Sequence, residues 1–380
     1  MGGARHAKIV SMAVASLRVV LGIAALIAAT AACSGCALAA GESAPRRPGG
    51  FQNNYVEFRP QGFGAFLEWR VSAMRNGLPP APRGPTPAVR ADLGFIRSNA
   101  GAGMQMQPAI TWIGHATMLL QIGGRNVLTD PMFSERTSPL AFIGPKRHAP
   151  PGVALADLPH IDAVLISHNH FDHLDTASVR ALNAQSGGPP LFVVPLGLKA
   201  WLADQGIVNA VELDWWQARA LGPIEIVLTP LQHWSGRGLG DRLATLWGGY
   251  ALFAPEFQVF FAGDTAYSKD FADIRAHFAD RQAARAGRGF DLALIPIGAY
   301  EPRWFMRAQH ADPAEAVQIH LDVGAQRSVG IHWGTFELTD EALDQPPIDL
   351  AEARRARSLD ESAFQVMAIG ETRTFPRRSP

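Results

Sequence analysis

The chain has 380 residues, enough for one large domain or two ordinary ones. Hydrophobic residues make up 47% of it, ample for a core, and 34 Lys and Arg balance 34 Asp and Glu. That neutrality argues against nucleic-acid binding by bulk electrostatics. Both cysteines, Cys33 and Cys36, lie near the start, so disulfides and thiolate metal ligands are excluded from residues 41–380.

Residues 1–40 have the layout of an export signal. Arg5 and Lys8 precede an apolar stretch from Met12 to Ala32, and small residues follow. The uninterrupted part, residues 19–32, is too short to span a bilayer comfortably. Ala37-Leu38-Ala39 fits a cleavage pattern; lipid modification at Cys33 or Cys36 and an uncleaved membrane anchor are the alternatives. Either way an exported bacterial envelope protein is expected, periplasmic or membrane-associated. Residues 41–97 read as a linker and N-terminal extension, and 98–380 as the main domain. Within the extension, Phe63, Phe66, Leu67, Val71 and Met74 recur at helical spacing over 62–76, beside Trp69. This stripe is expected to pack on the core, with an amphipathic element at a membrane surface as the alternative. LPPAPRGPTP then reads as a stiff extended linker.

AITWIGHATMLLQIGGRNVLTDP predicts two strands joined at Gly123-Gly124. DAVLIS, LFVVP and IEIVLTP are further strands, with helices over 175–185 and in GLKAWLADQG. LWGGYALFAPEFQVFFAGDT reads as a hairpin, and FDLALIPIGAY and RSVGIHWGTF as strands. DPAEAVQIHLDVG is a well-signed helix, with Asp312 as N-cap, Pro313 at the first position and Glu315 three after the cap. Hairpins mixed with strand–helix units imply an α/β protein with sheets inside and helices outside. His115, Asp130, the 168–173 cluster, His233, Asp264 and His332 all fall just past strand ends, where residues distant in sequence converge.

ISHNHFDHLD crowds five titratable side chains after an apolar strand. Extended geometry sends His168 and His170 the same way, and a turn brings Asp172 and His173 to the same opening. Phe171 and Leu174 turn inward to anchor it. Two metals need about four ligands each, some shared. His168, His170 and His233 form one set; Asp172, His173 and His332 form the other; Asp264 places one oxygen on each ion. Neutral imidazole and carboxylate suit two Zn²⁺ per chain, with Fe or Mn as alternatives. A pair of such ions lowers the pKa of a bridging water toward neutrality, which supplies hydroxide for attack on a phosphoryl or carbonyl group.

HNHFDH resembles the metal motif of the metallo-β-lactamase superfamily. WIGHAT, LTDP, SHNHFDHLD, QHWSGR, GDT, IPIGAYEPRWFM, QHADPAEAV and IHWGTF are similar, in order, to its N-acylphosphatidylethanolamine-hydrolysing phospholipase D branch. The likeness covers residues 110–336. It implies a four-layer αβ/βα sandwich and the same seven ligands. It also implies cleavage of a phosphodiester to N-acylethanolamine and phosphatidic acid. Asp172 and His310 are then read as catalytic, His310 and Gln309 as substrate-binding, and His115 and Asp130 as residues that orient ligands. His6, His148, His160, His277 and His320 match nothing and read as solvated or core-edge. NNYVEFRP follows the branch's opening only loosely. The expected partners are a phospholipid or other phosphodiester, a peripheral membrane contact and a second copy in a homodimer, with no nucleic acid. Two alternatives remain: a dizinc hydrolase of lactones or β-lactams, and a metal-binding envelope or regulatory protein with little turnover.

Overall fold

A computed structural model describes residues 43–59, 61–140, 142–238, 240–283 and 289–378. The export signal, with Cys33 and Cys36, lies outside the described residues. A short ribbon, β1 (Arg46–Arg47) and β2 (Gly50–Phe51), is followed by helices α1 (Phe63–Asn76) and α2 (Leu93–Ala100). The apolar runs then become strands. β3 (Ala109–Gly114), β4 (Thr117–Ile122), β5 (Arg125–Thr129), β6 (Ala163–Leu165), β7 (Leu191–Pro195) and β8 (Ala210–Leu213) lie side by side in that order. β9 (Ala218–Leu221), β10 (Ile224–Thr229), β11 (Gly249–Phe253), β12 (Gln258–Phe261), β13 (Leu292–Pro296), β14 (Ser328–Ile331) and β15 (Phe364–Gln365) form a second, seven-stranded sheet. β16 (Thr372–Thr374) returns to β3 and makes the first sheet seven-stranded too.

The two sheets are built alike. Each begins with antiparallel strands, β3–β5 and β9–β12, and continues with parallel ones, β5–β8 and β12–β15. Parallel pairs need crossovers. Helices α3 (Thr176–Asn183) and α4 (Leu198–Asp204) cross over the first sheet. On the side of the second sheet lie α5 (Asp270–His277), α6 (Ala279–Ala283), α8 (Pro313–Asp322) and α9 (Gln345–Ala356), while the short α7 (Arg303–Met306) packs against α1.

Period-two alternation assigns the faces. Trp112, Leu120 and Val193 join the main core with Leu228, Tyr250 and Leu294 of the second sheet. Their neighbours Ile113, Leu119 and Val194 pack instead with Val179 and Leu202 of α3 and α4. The result is the helix–sheet–sheet–helix sandwich expected from the resemblance. Asp312 accepts from Glu315 N in a full capping box, and Asp175 caps α3 through Ser178 N.

Four expectations need correction. The first hairpin is three strands, because the chain also reverses at Gly114 (φ 132) and His115 (φ 55). Residues 43–58 are not a free linker: Ala44, Phe51 and Phe58 belong to the main core, and Asn53 and Asn54 are buried. The boundary at residue 98 falls inside α2, where Ile96 is fully buried against the first sheet. On α1 the buried face is Trp69 and Ala73, while Phe66, Leu67 and Met74 are 43%, 40% and 70% exposed. The helix meets little more than Met306 and Phe305, and Trp69 Nε1 donates to Asp340 Oδ2 at 2.8 Å. No described helix is long and apolar enough to cross a membrane.

Candidate metal centre

The ends of β3, β5, β6, β10, β12 and β14 deliver their following residues to one place. The end of β5 sets the start of the histidine loop: Asp130 accepts from Ser167 N at 2.7 Å and from Ser167 Oγ at 2.6 Å. The loop closes through His173 N and Leu174 N on the His170 carbonyl, at 3.1 and 2.9 Å. Leu174 is fully buried beneath the first sheet. Phe171, expected to turn inward, lines a cavity instead.

Hydrogen bonds behind the rings select their tautomers. Ser167 gives its proton to Asp130, so its oxygen accepts from His168 Nδ1 at 2.9 Å. His173 Nδ1 donates to Asp130 Oδ2 at 2.7 Å, and His233 Nδ1 to the Gln309 carbonyl at 2.8 Å. Each of these rings therefore turns its Nε2 inward.

The inward atoms form two groups joined by one carboxylate. His168 Nε2 and His233 Nε2 lie 2.8 and 3.4 Å from His170 Nδ1. Asp172 Oδ2 lies 2.9 Å from His115 Nε2 and 3.3 Å from both His173 Nε2 and His332 Nε2. Asp264 Oδ2 is 3.0 Å from His173 Nε2, 3.1 Å from His332 Nε2 and 3.9 Å from His168 Nε2. His310 Nδ1 stands 4.0 Å from the same oxygen. Buried His170 Nε2, His173 Nε2, His310 Nδ1, His332 Nδ1 and Asp264 Oδ1 have no hydrogen-bond partner. Such orphans are rare in a protein interior. Convergent imidazoles and carboxylates without thiolate fit a divalent cation such as Zn²⁺.

Burial, then neighbouring imidazoles, holds His168 and His170 well below the usual histidine range. Burial takes His233 down to about 4 and His310 to about 3. Burial and His332 together take His115 to about 3. For Asp172 and Asp264 burial pushes upward, but the imidazoles, His173 foremost, win and keep both carboxylates well below their usual range. Burial also opposes His332, yet Asp264 and Asp172 carry it to about 9.

The backbone is strained here. His115, Asp130, Ala299 and His332 sit at φ 55, 33, 63 and 62. Each left-handed non-glycine residue costs about 1–3 kcal/mol and persists only where its surroundings hold it. His332 N bonds the His115 carbonyl at 3.1 Å, and His115 N bonds Thr335 Oγ1 at 2.8 Å. Gly298 must be glycine, because a Cβ would lie 2.2 Å from the His332 carbonyl oxygen.

Above the donors opens a cavity of about 610 Å³, walled by Phe58, Trp69, Trp234, Phe305 and Met306. Phe58 stacks on Trp234 at 5.5 Å, and Trp234 meets the His170 ring at 4.3 Å. Glu341 accepts from the backbone of Ala299, Tyr300 and Glu301 and fixes the loop along one side. Gln309 lines the cavity and holds His233 Nδ1 through its carbonyl, and its amide Nε2 lies 3.2 Å from Met306 Sδ. Asn53, Phe58, Trp234, Arg237 and Glu341 were not singled out by the sequence, although Trp234 and Arg237 lie in QHWSGR and Asn53 and Phe58 in NNYVEFRP; Glu341 lies in no quoted motif.

The β-lactamase superfamily domain profile matches residues 125–333. A Caenorhabditis elegans N-acyl-phosphatidylethanolamine-hydrolyzing phospholipase D is 40% identical over 272 residues, 69% of this chain and 74% of that one. A metal-dependent hydrolase of Rubrobacter xylanophilus is 30% identical over 269 residues, 69% of this chain and 94% of its own length. Among solved structures, the isothiocyanate hydrolase from Delia radicum gut bacteria aligns with a TM-score of 0.53. That likeness covers 70% of this chain and 99% of that one at 23% identity, and it speaks to the fold alone. With its sandwich of two sheets and its histidine–aspartate centre, the chain belongs to the β-lactamase superfamily of metal-dependent hydrolases, in the branch of the N-acyl-phosphatidylethanolamine-hydrolysing phospholipase D homologues.

Proposed function

We propose that the chain is a dizinc phosphodiesterase that cleaves N-acylphosphatidylethanolamine to N-acylethanolamine and phosphatidic acid. The observation that carries this reading is the pair of donor groups joined by Asp264 at the foot of an apolar-walled cavity. His168, His170 and His233 would hold one ion and Asp172, His173 and His332 the other, with Asp264 within reach of both sets. Such ions would supply activated water and charge neutralisation at a phosphoryl group.

The chain's own groups do the rest. Asp130 and Ser167 fix His173 and His168 in the tautomers that turn Nε2 inward. His115 holds Asp172 Oδ2 and so orients it. His310 lines the cavity with its Nδ1 unpartnered, placed to hold a phosphate or leaving-group oxygen. Phe58, Trp234, Phe305 and Met306 shelter the lipid part and exclude water. The exposed apolar side chains of α1, beside cavity residues Phe66, Trp69 and Arg70, suit a peripheral contact with a lipid surface. The export pattern in residues 1–40 supports bacterial envelope lipids as the substrate pool. The nematode relative's activity supports the choice of headgroup.

A panel of lipid phosphodiesters and lactones, assayed with and without chelator, tests the reading. Chelator-sensitive release of N-acylethanolamine is expected. Its absence, with brisk turnover of lactones, would sink the phosphodiesterase assignment.

A further inference from the structure

We propose that Arg237 is a positioning residue for the metal centre, tying the histidine loop of the first sheet to the strap that follows His233. The proposal rests on the metal-centre reading above. Arg237 Nη1 donates to the Asn169 carbonyl at 2.9 Å and to the Leu174 carbonyl at 2.7 Å. Those two carbonyls bracket His170, Phe171, Asp172 and His173. One nitrogen thus closes a chord across the segment that supplies three of the seven ligands.

The guanidinium lies 4.1 Å over the Phe171 ring and 5.0 Å from Trp201. Asp241 of the strap accepts from the backbone of Arg237 and Gly238 rather than from the guanidinium, which it reaches only through charge. A second tie runs the other way, from Gly236 N to Asn169 Oδ1 at 2.6 Å. Carbonyl dipoles and aromatic faces, with the nearby charges of Asp175, Asp241 and Asp172, compensate this half-buried cation.

Simple turn formation does not require it. The His170 carbonyl already accepts from His173 N and Leu174 N, and Asp175 already caps α3. What Arg237 adds is the direction of the peptides on either side of the ligands, and with it the direction of Nδ1 of His170, Oδ2 of Asp172 and Nε2 of His173. Partners that orient metal ligands typically change affinity by about 10–100-fold when removed.

The test uses the full chain stripped of metal. Arg237→Met keeps the stem and removes the donors; Arg237→Lys keeps the charge and part of the donor capacity. Zinc affinity by chelator competition, ions bound per chain, and melting temperature with and without zinc are measured for both and for the parent. Arg237→Met is expected to bind zinc about 10–100-fold more weakly, with the zinc-induced rise in melting temperature reduced and Arg237→Lys intermediate. Unchanged affinity in Arg237→Met, with melting lowered equally in both states, overturns the positioning role. Should Arg237→Met fail to fold, Arg237→Lys with parental affinity overturns it equally. A parent that takes up no zinc would instead overturn the metal-centre reading itself.

Discussion

Asn53 and His233 exchange a reciprocal pair of hydrogen bonds across 180 residues: Asn53 Nδ2 donates to the His233 carbonyl, and Asn53 Oδ1 accepts the His233 N–H, both at 3.0 Å. The carboxamide acts as a missing strand neighbour for a ligand's backbone. It is buried and also meets Trp247 Nε1 at 3.2 Å. Asn53→Ala leaves that N–H and carbonyl unpaired, at a cost of about 1–3 kcal/mol. Urea denaturation should show the loss, and chelator competition a weaker hold on zinc. Parental values for both would remove residues 43–58 from the account of the site.

Stripping the metal should abolish hydrolysis, and zinc should restore it. An ion at about 100 times its dissociation constant stabilises the fold by about 2.7 kcal/mol, so calorimetry should register a higher melting temperature on reloading. His168→Ala should lose at least about 100-fold in rate and hold fewer ions by elemental analysis. A variant as active as the parent would refute the metal mechanism.

His310→Asn is a different kind of change, because His310 is kept out of both ligand sets in the proposed centre. Its ions should stay in place while kcat for the phosphodiester falls about 100-fold. Loss of metal in this variant would make His310 a ligand instead.

His320 lies away from the centre, on α8, with Nδ1 2.8 Å from Ser328 Oγ. Burial holds it at about 4 in the folded chain, against an ordinary 6.5. The unfolded chain therefore takes up a proton first as pH falls. The stabilisation is complete above pH 6.5 and disappears as pH drops toward 4. His320→Phe should flatten this acid limb by about 2 kcal/mol relative to the parent. Denaturation at pH 7 and pH 5 measures the difference; parallel curves would discount the group.

Exchanging Leu67 and Met74 for Ser should weaken sedimentation with phospholipid vesicles while leaving turnover of a short, monomeric phosphodiester within about two-fold, since neither is buried or lines the cavity. Equal vesicle binding would detach α1 from the lipid surface.

The centre was legible where its signal is local. His168 and His170 share a side of an extended segment after an apolar strand, and the Asp312–Glu315 capping box sits within four residues. Asn53, Arg237 and Glu341 were not legible, because each acts on backbone far away in sequence; even Arg237, within QHWSGR, shows nothing locally of the carbonyls it reaches 63 and 68 residues away. The turn at His115 was missed for a related reason. Nothing local favours a left-handed histidine; Thr335, 220 residues on, holds it there. On α1 the periodicity marked a stripe but not which face had a partner. Met306 and Phe305 selected Trp69 and Ala73, leaving the larger apolar residues outside.

The centre is divided between the sheets: the loop after β6 belongs to one, and His233, Asp264 and His332 to the other. Asp172 and His332 alone are 160 residues apart. Their side chains meet only after both halves have formed and closed on each other, so the complete site exists only in the folded chain. A cation held across both halves would be a latch on a door already shut. Its binding energy would act against reopening, and metal supply should govern how slowly the protein unfolds more than how quickly it folds.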